Sequence, residues 1–293
     1  MNQRQLGKSD LYVSEIGFGC MSLEPGNPSN SQLIRRAFDA GINFFDTADR
    51  YDDGLNEETV GQAVKEFRND IILATKVGHQ KAESGDGWEW KPTKNHILSA
   101  VEDSLRRLQT DYIDLYQLHG GTLDDPIDDI IEAFDRLKEE GKIRYYGISS
   151  IRPNVIREYV KRSNISGVMM QYSLLDRRPE EECLDLLHDA GISVITRGSL
   201  AKGVLIDKPP QETLGYSEAE VARMQEAVNK TGNPVGASLQ FVLSHPAVAT
   251  AAAGIRTENQ LQEIVDGMQK PVPADRLEKL VGVLEVNRYE RHR

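Results

Sequence analysis

Three apolar runs in this chain each stop at a polar residue of a different kind. Gly41-Ile42-Asn43-Phe44-Phe45 ends at Asp46, Asp70-Ile71-Ile72-Leu73-Ala74-Thr75 at Lys76, and Tyr112-Ile113-Asp114-Leu115-Tyr116-Gln117-Leu118 at His119, while Tyr51 follows Asp46 in the next stretch. A carboxylate, an ammonium, a phenol and an imidazole at neighbouring strand ends make a proton-donating site. Reducing a carbonyl takes a hydride to carbon and a proton to oxygen. A free phenol, with a pKa of about 10, is a poor acid at neutral pH, and a nearby ammonium that stabilises phenolate corrects this. Lys76 is the candidate for that ammonium. Once buried it needs a counter-charge, which Asp46 can supply. His119 can hydrogen-bond the carbonyl oxygen and orient it, or share the proton. Taken singly, each residue reads as a turn, cap or surface group; the joint pattern on successive strand ends points to chemistry.

These side chains converge only if the runs are parallel strands of one barrel, whose C-terminal rim carries the chemistry. Short apolar runs do alternate with amphipathic stretches. Val60, Ala63, Val64 and Phe67 repeat at helical spacing, as do Ile97, Val101, Leu105 and Leu108, and Leu261, Ile264, Val265 and Met268. Between them lie runs at 143–148, 167–170, 192–196 and 248–252, rich in β-branched residues. Counting from Ile16-Gly17-Phe18-Gly19, eight strands each precede a helix, which predicts a (β/α)8 barrel. An open doubly wound sheet is disfavoured, because Gly17-Phe18-Gly19-Cys20-Met21-Ser22 lacks the third glycine and the helix start of a dinucleotide fingerprint.

Ahead of the first strand, segments 3–6 and 11–13 flank Gly7-Lys8-Ser9-Asp10, a hairpin expected to cap the barrel bottom. Longer connections fall at 77–93, 197–215 and after Pro271, the first two on the catalytic rim. Ser217 with Glu220 forms a capping-box pattern that opens an extra helix. No linker, repeat or low-complexity tract divides residues 1–293, so one domain is expected.

Forty-six acidic against thirty-five basic residues give a net charge of −11. That balance, without a long basic run, disfavours nucleic acid and acidic membranes as partners. Cys20 and Cys183 have no metal or redox spacing, and no metal is expected. No signal peptide and no apolar run of about eighteen residues is present, which predicts a cytoplasmic protein. The other five histidines, His79 and His96 among them, have no comparable context and read as surface or helix residues.

The segments Gly41-Ile42-Asn43-Phe44-Phe45-Asp46-Thr47-Ala48 with Tyr51, Leu73-Ala74-Thr75-Lys76-Val77, and Ser104-Leu105-Arg106-Arg107-Leu108-Gln109-Thr110-Asp111 running on to His119 resemble signatures of the aldo-keto reductases. The resemblance extends from Leu6 to about Met268. It implies a (β/α)8 barrel that uses NADPH to reduce aldehydes and ketones, with Asp46, Tyr51, Lys76 and His119 as the tetrad and Tyr51 as proton donor.

By the same resemblance Ser149 and Gln171 hold the nicotinamide carboxamide, with Ser150 in place of the usual Asn. Met21 joins the cofactor-binding set. Arg197 stands where relatives carry an aromatic ring that stacks on the nicotinamide, and Gly198, Leu200, Lys202 and Gly203 continue a pyrophosphate loop. Arg256, Thr257 and Gln260 mark the adenine end. There Thr257 and Gln260 show a capping-box pattern, a helix N-terminus favours anions, and the arginine fork suits the 2′-phosphate of NADP. Ile264 replaces an Asn that often contacts adenine.

Trp88 and Trp90, in segment 85–92, are candidate walls of an apolar substrate pocket. Gly120-Gly121 stands where relatives carry Trp or Pro, implying an open pocket, and Asp52 where they often have glycine. The rival to a reductase is a barrel that binds NADP(H) as a sensor or regulatory subunit with negligible turnover. A sugar-phosphate barrel enzyme without nicotinamide is the third reading. Monomer and homo-oligomer are both open.

Overall fold

The computed structural model describes residues 1–82, 85 and 87–293. Eight parallel strands close into a barrel in the order β10-β11-β12-β3-β4-β5-β8-β9. They are β3 (Ile16–Gly19), β4 (Phe44–Asp46), β5 (Ile72–Val77), β8 (Ile113–Leu118), β9 (Ile143–Ser149), β10 (Gly167–Gln171), β11 (Ser193–Arg197) and β12 (Val248–Gly254). Around them lie α1 (Asn30–Asp39), α2 (Leu55–Val64), α3 (Lys94–Leu108), α4 (Ile127–Glu139), α5 (Pro153–Arg162), α6 (Cys183–Ala190), α7 (Glu218–Asn229), α8 (Pro234–Leu243) and α9 (Glu258–Gln269), with α10 (Ala274–Val281) beyond the last strand. The expected (β/α)8 architecture is present.

The expected hairpin is present too, as antiparallel β1 (Gln3–Gln5) and β2 (Tyr12–Ser14). Its Leu6, Leu11 and Val13 are buried with Phe44, Ile72, Leu115, Met169 and Ile195, so the hairpin seals the bottom of the barrel interior. That interior is tight. A Cβ at Gly17 would lie 2.6 Å from the Phe44 ring, which is why a strand residue here has no side chain. A second apolar shell fills the space between strands and helices, as the helical spacings require.

Three details depart from the sequence reading. The α2 face ends at Val64, and Phe67 lies instead in a 3-10 turn, Lys65–Asp70, where its ring stacks on Phe38 at 4.3 Å. Within the 77–93 connection β6 (His79–Lys81) and β7 (Trp88–Trp90) pair antiparallel, so both tryptophans stand on a short ribbon rather than in a loop. Of segment 85–92, residue 86 is outside the described residues. At the start of α9, Thr257 caps as expected, but the Gln260 side chain accepts from the Arg256 amide rather than from Thr257. The capping box at Ser217 and Glu220 is complete.

The C-terminal tail returns over the strand-end rim. Asn287 Oδ1 accepts from the Arg177 amide at 3.0 Å, the Tyr289 amide donates to Glu181 Oε2 at 3.2 Å, and the His292 carbonyl accepts from the Asn154 amide at 3.0 Å. Among the described residues no helix is long and apolar enough to cross a membrane.

Candidate active site

Strand register brings the polar strand ends together. Asp46 pairs with Ala74 across β4 and β5, and Lys76 pairs with Gln117 across β5 and β8. Lys76 is 1% exposed, and its Nζ donates to Asp46 Oδ2 at 2.7 Å and to the Thr47 carbonyl at 2.6 Å, with the Tyr51 hydroxyl at 3.5 Å. Burial works against the ammonium, but Asp46 and then Tyr51 outweigh it and hold its pKa above the ordinary lysine value. The second carboxylate oxygen of Asp46 accepts from Gln117 Nε2 at 3.3 Å. An ammonium aimed at a phenol hydroxyl is the arrangement that stabilises phenolate.

Tyr51 opens a 3-10 turn, Tyr51–Gly54, in which Asp52 and Asp53 take left-handed backbone angles (φ 48° and 55°). Asp52 thus occupies, with a side chain, the conformation glycine adopts without strain. The turn places the Tyr51 ring edge-on to His119, with centroids 5.7 Å apart.

His119 follows β8, and its amide donates to the Val77 carbonyl at 2.7 Å. Burial, then Lys76, His79, Arg50 and Arg197, push its pKa down to about 2, so the imidazole is neutral at physiological pH. His79, read from sequence as unremarkable, is part of this cluster. Its ring stands edge-on to His119 at 5.6 Å and to Trp90 at 5.0 Å. Burial and then Arg50 lower His79 to about 4, and Arg50 Nη1 donates to its Nε2 at 3.1 Å. A neutral imidazole that accepts at Nε2 carries its proton on Nδ1.

Behind the strand ends lies a second polar layer that the sequence reading missed. Glu57, fully buried on α2, accepts from Thr75 Oγ1 and Arg107 Nε; Asn56 Oδ1 accepts from Thr47 Oγ1, and Asn56 Nδ2 donates to the Cys20 carbonyl. Asp49 is buried nearby. Burial, then Glu57, raise its carboxyl to about 8. Gln117 was open to discovery, since two-residue alternation back from His119 puts both side chains on one face.

The tryptophans are fixed by hydrogen bonds. Trp88 Nε1 donates to Asp53 Oδ1 and Trp90 Nε1 to Asp125 Oδ1, each at 2.9 Å. Trp90 packs on the barrel rim against Gly78 and Gly120, beside His79.

The cofactor candidates occupy the opposite arc of the rim. Ser149 and Gln171 end β9 and β10, Arg197 ends β11, and Arg197 Nη1 donates to Gln171 Oε1 at 3.2 Å. Ser150 is buried, and its Oγ accepts from the Arg152 amide rather than facing outward. Gly198 and Gly203 turn with positive φ on either side of Leu200 and the exposed Lys202. Met21, in a 3-10 turn after β3, is 66% exposed. Arg256 and Thr257 line a cavity of about 180 Å³ with Asn27, Ser29, Asn30 and Glu258, and Gln260 stands just inside α9. Glu258 is itself held by Arg36 at 2.6 Å.

A model of the aldo/keto reductase family matches residues 15–285. The chain is 51% identical over 275 residues to the oxidoreductase YqkF of Bacillus subtilis, covering 90% of each chain. It is 34% identical over 203 residues to the aldo-keto reductase yakc of Schizosaccharomyces pombe, whose name carries NADP(+), covering 66% of this chain and 60% of that one. The solved holo form of aldo-keto reductase AKR11C1 from Bacillus halodurans superposes with a TM-score of 0.96 at 50% identity, covering 100% of this chain and 99% of that one; its apo form gives 0.88. With an eightfold parallel barrel and this rim constellation, the chain is an oxidoreductase and belongs to the aldo/keto reductase family.

Proposed function

We propose that this oxidoreductase reduces aldehydes or ketones to alcohols with NADPH, and that residues 1–293 act as one barrel domain in doing so. The observation that carries the reading is the position of Lys76 Nζ, between Asp46 and the Tyr51 hydroxyl. Tyr51 donates its proton to the carbonyl oxygen. Lys76 stabilises the phenolate that remains, and Asp46 keeps Lys76 charged in a site that excludes water. His119, neutral, can donate a hydrogen bond that orients the carbonyl without competing as the acid. Such fixed dipoles need no rearrangement as charge develops on oxygen.

The donor set on the other arc fits a nicotinamide dinucleotide phosphate. Arg256, Thr257, Ser29 and two Asn side chains around one cavity suit a phosphate, and the yakc name points to NADP(+). Ser149 and Gln171 offer a hydroxyl and an amide for the carboxamide, and the exposed Met21 after β3 is a further cofactor contact. Gly198, Leu200, Lys202 and Gly203 would line the pyrophosphate, and Gln260 the adenine end. When bound, NADPH supplies the hydride. Arg197 occupies one lone pair of Gln171 Oε1 and leaves its Nε2 donors for the carboxamide.

The test follows NADPH absorbance over a panel of aldehydes and ketones, comparing wild type with Tyr51→Phe. Loss of a general acid is worth about 10²–10⁴ in kcat. If carbonyl-dependent oxidation of NADPH falls by that much in the variant, the reading stands. If neither protein turns over while both bind NADPH, the protein is a sensor of the cofactor and not a reductase.

A further inference from the structure

Arg50 differs from most arginines in this chain. Arg107, Arg144, Arg177 and Arg178 are each paired with a carboxylate, as are many on the outer helices. Arg50 is exposed at the mouth of the site, next to Tyr51, and among the described residues it forms no ion pair. Among the described residues its guanidinium makes one hydrogen bond, to the His79 ring, out of five N–H donors.

Two of the acids around it are committed elsewhere. Asp53 accepts from Trp88 and faces Lys81 at 3.4 Å; Asp125 accepts from Trp90 and from the Thr122 amide. Asp49 is buried, and burial and then Glu57 hold its carboxyl toward the neutral form. Asp52 makes no ion pair among the described residues. A guanidinium held only by a neutral acceptor keeps its charge available to an incoming anion.

Its place on the rim differs from that of most cofactor candidates. Arg50 follows β4, on the arc β4-β5-β8 that carries Asp46, Lys76 and His119, whereas Ser149, Gln171, Arg197 and Arg256 follow β9 to β12. The His79 ring bridges Arg50 to His119, so the fork is one imidazole away from the group proposed to orient the carbonyl. Resting on the reductase reading above, we infer that the preferred carbonyl substrates carry an anionic group, a carboxylate or a phosphate ester, which Arg50 grips while Tyr51 and His119 engage the reacting oxygen. The arginine fork matches either anion bidentately. The reaction stays balanced: the carbonyl carbon gains a hydride, the oxygen gains a proton, and NADP⁺ is released.

The experiment compares charged and neutral carbonyl compounds of matched shape. These are 4-oxobutanoate against its methyl ester, and glyceraldehyde 3-phosphate against glyceraldehyde, each with wild type, Arg50→Gln and Arg50→Lys. Wild type should favour at least one charged member by about ten- to hundredfold in kcat/KM, the worth of a hydrogen bond to a charged group, and mainly through KM. The pair with the larger ratio identifies the anion. The preference should shrink in high salt, fall toward one in Arg50→Gln and survive in part in Arg50→Lys. Calorimetry of 4-hydroxybutanoate and of inorganic phosphate, each with NADP⁺-loaded protein, gives a readout without turnover, and Arg50→Gln should weaken the preferred anion by a similar factor. If neutral carbonyls are reduced as well as charged ones and Arg50→Gln leaves the ratio unchanged, the anion site is overturned and the reductase reading stands. If an anion binds through Arg50 but nothing is reduced, the anion site stands and the reductase reading fails.

Discussion

Glu57 Oε1 accepts from Thr75 Oγ1 at 2.5 Å, one residue before Lys76, while Glu57 Oε2 accepts from Arg107 Nε at 2.7 Å. A fully buried carboxylate thus ties α2 and α3 to the strand that carries the ammonium. Removing one partner of such a pair leaves an uncompensated charge in the interior. Glu57→Ala should cost about 3–5 kcal/mol in denaturant unfolding, with Glu57→Gln losing less because its amide still reaches Thr75. Activity measured well below the unfolding midpoint should fall too, since β5 then holds Lys76 less firmly.

Acid should act on His119. Its folded pKa of about 2 lies far below the unfolded value near 6.5, so below pH 6.5 the unfolded chain takes up a proton that the folded one refuses. Stability therefore declines as pH falls from 6.5 toward 2. By pH 4 the loss from this residue is up to about 3 kcal/mol, with a smaller share from half-buried His79. The difference in unfolding free energy between pH 7 and pH 4 should shrink in His119→Asn. An equal difference in variant and wild type would show that His119 is not held neutral.

Asp49 has the opposite sign. Its folded pKa of about 8 lies above the unfolded value near 3.9, so the folded state holds a proton that the unfolded state has lost, and stability falls as pH rises between those values. Asp49→Asn mimics the protonated carboxyl. The variant should unfold like wild type at pH 4 and be more stable at pH 8, by on the order of a few kcal/mol. Paired denaturant titrations at the two pH values check this.

Much of the site was legible because barrel strands end where their chemistry begins. Asp46, Lys76 and His119 each close an apolar run, and the parallel register brings them together. Tyr51 was legible only through its distance from Asp46. The residues that were missed lie where periodicity carries no signal. Arg50 precedes a 3-10 turn and His79 opens the short β6 ribbon, and the two reach the site through ring contacts and a single hydrogen bond. Glu57 lies on α2 among other acids, and only the packing of Arg107 shows it to be buried. Asp49 is two residues from Tyr51 and reads as an ordinary turn acid. The β6–β7 ribbon was hidden because Gly78, Gly85 and Gly87 break the alternation that marks a strand pair.

Gly78 is required by what faces it. Its φ of +136° is costly for other residues, and a Cβ there would lie 2.6 Å from Trp90 Cζ3. Gly78→Ala should push the indole away and carry His79 with it. We expect a shifted tryptophan emission spectrum, a stability loss of about 1–3 kcal/mol, and a change in substrate preference larger than the change in cofactor affinity. Unaltered emission would mean that the ribbon does not rest on this contact.

The tail that lies over Arg177, Glu181 and Asn154 ends on the same side of the barrel as the reacting groups, whereas Met1 lies beside Gly41 at the sealed end. Anything fused after Arg293 therefore emerges beside the entrance to the chemistry. An affinity handle or fluorescent partner belongs at the amino terminus, where it is a barrel's length away from arriving substrate.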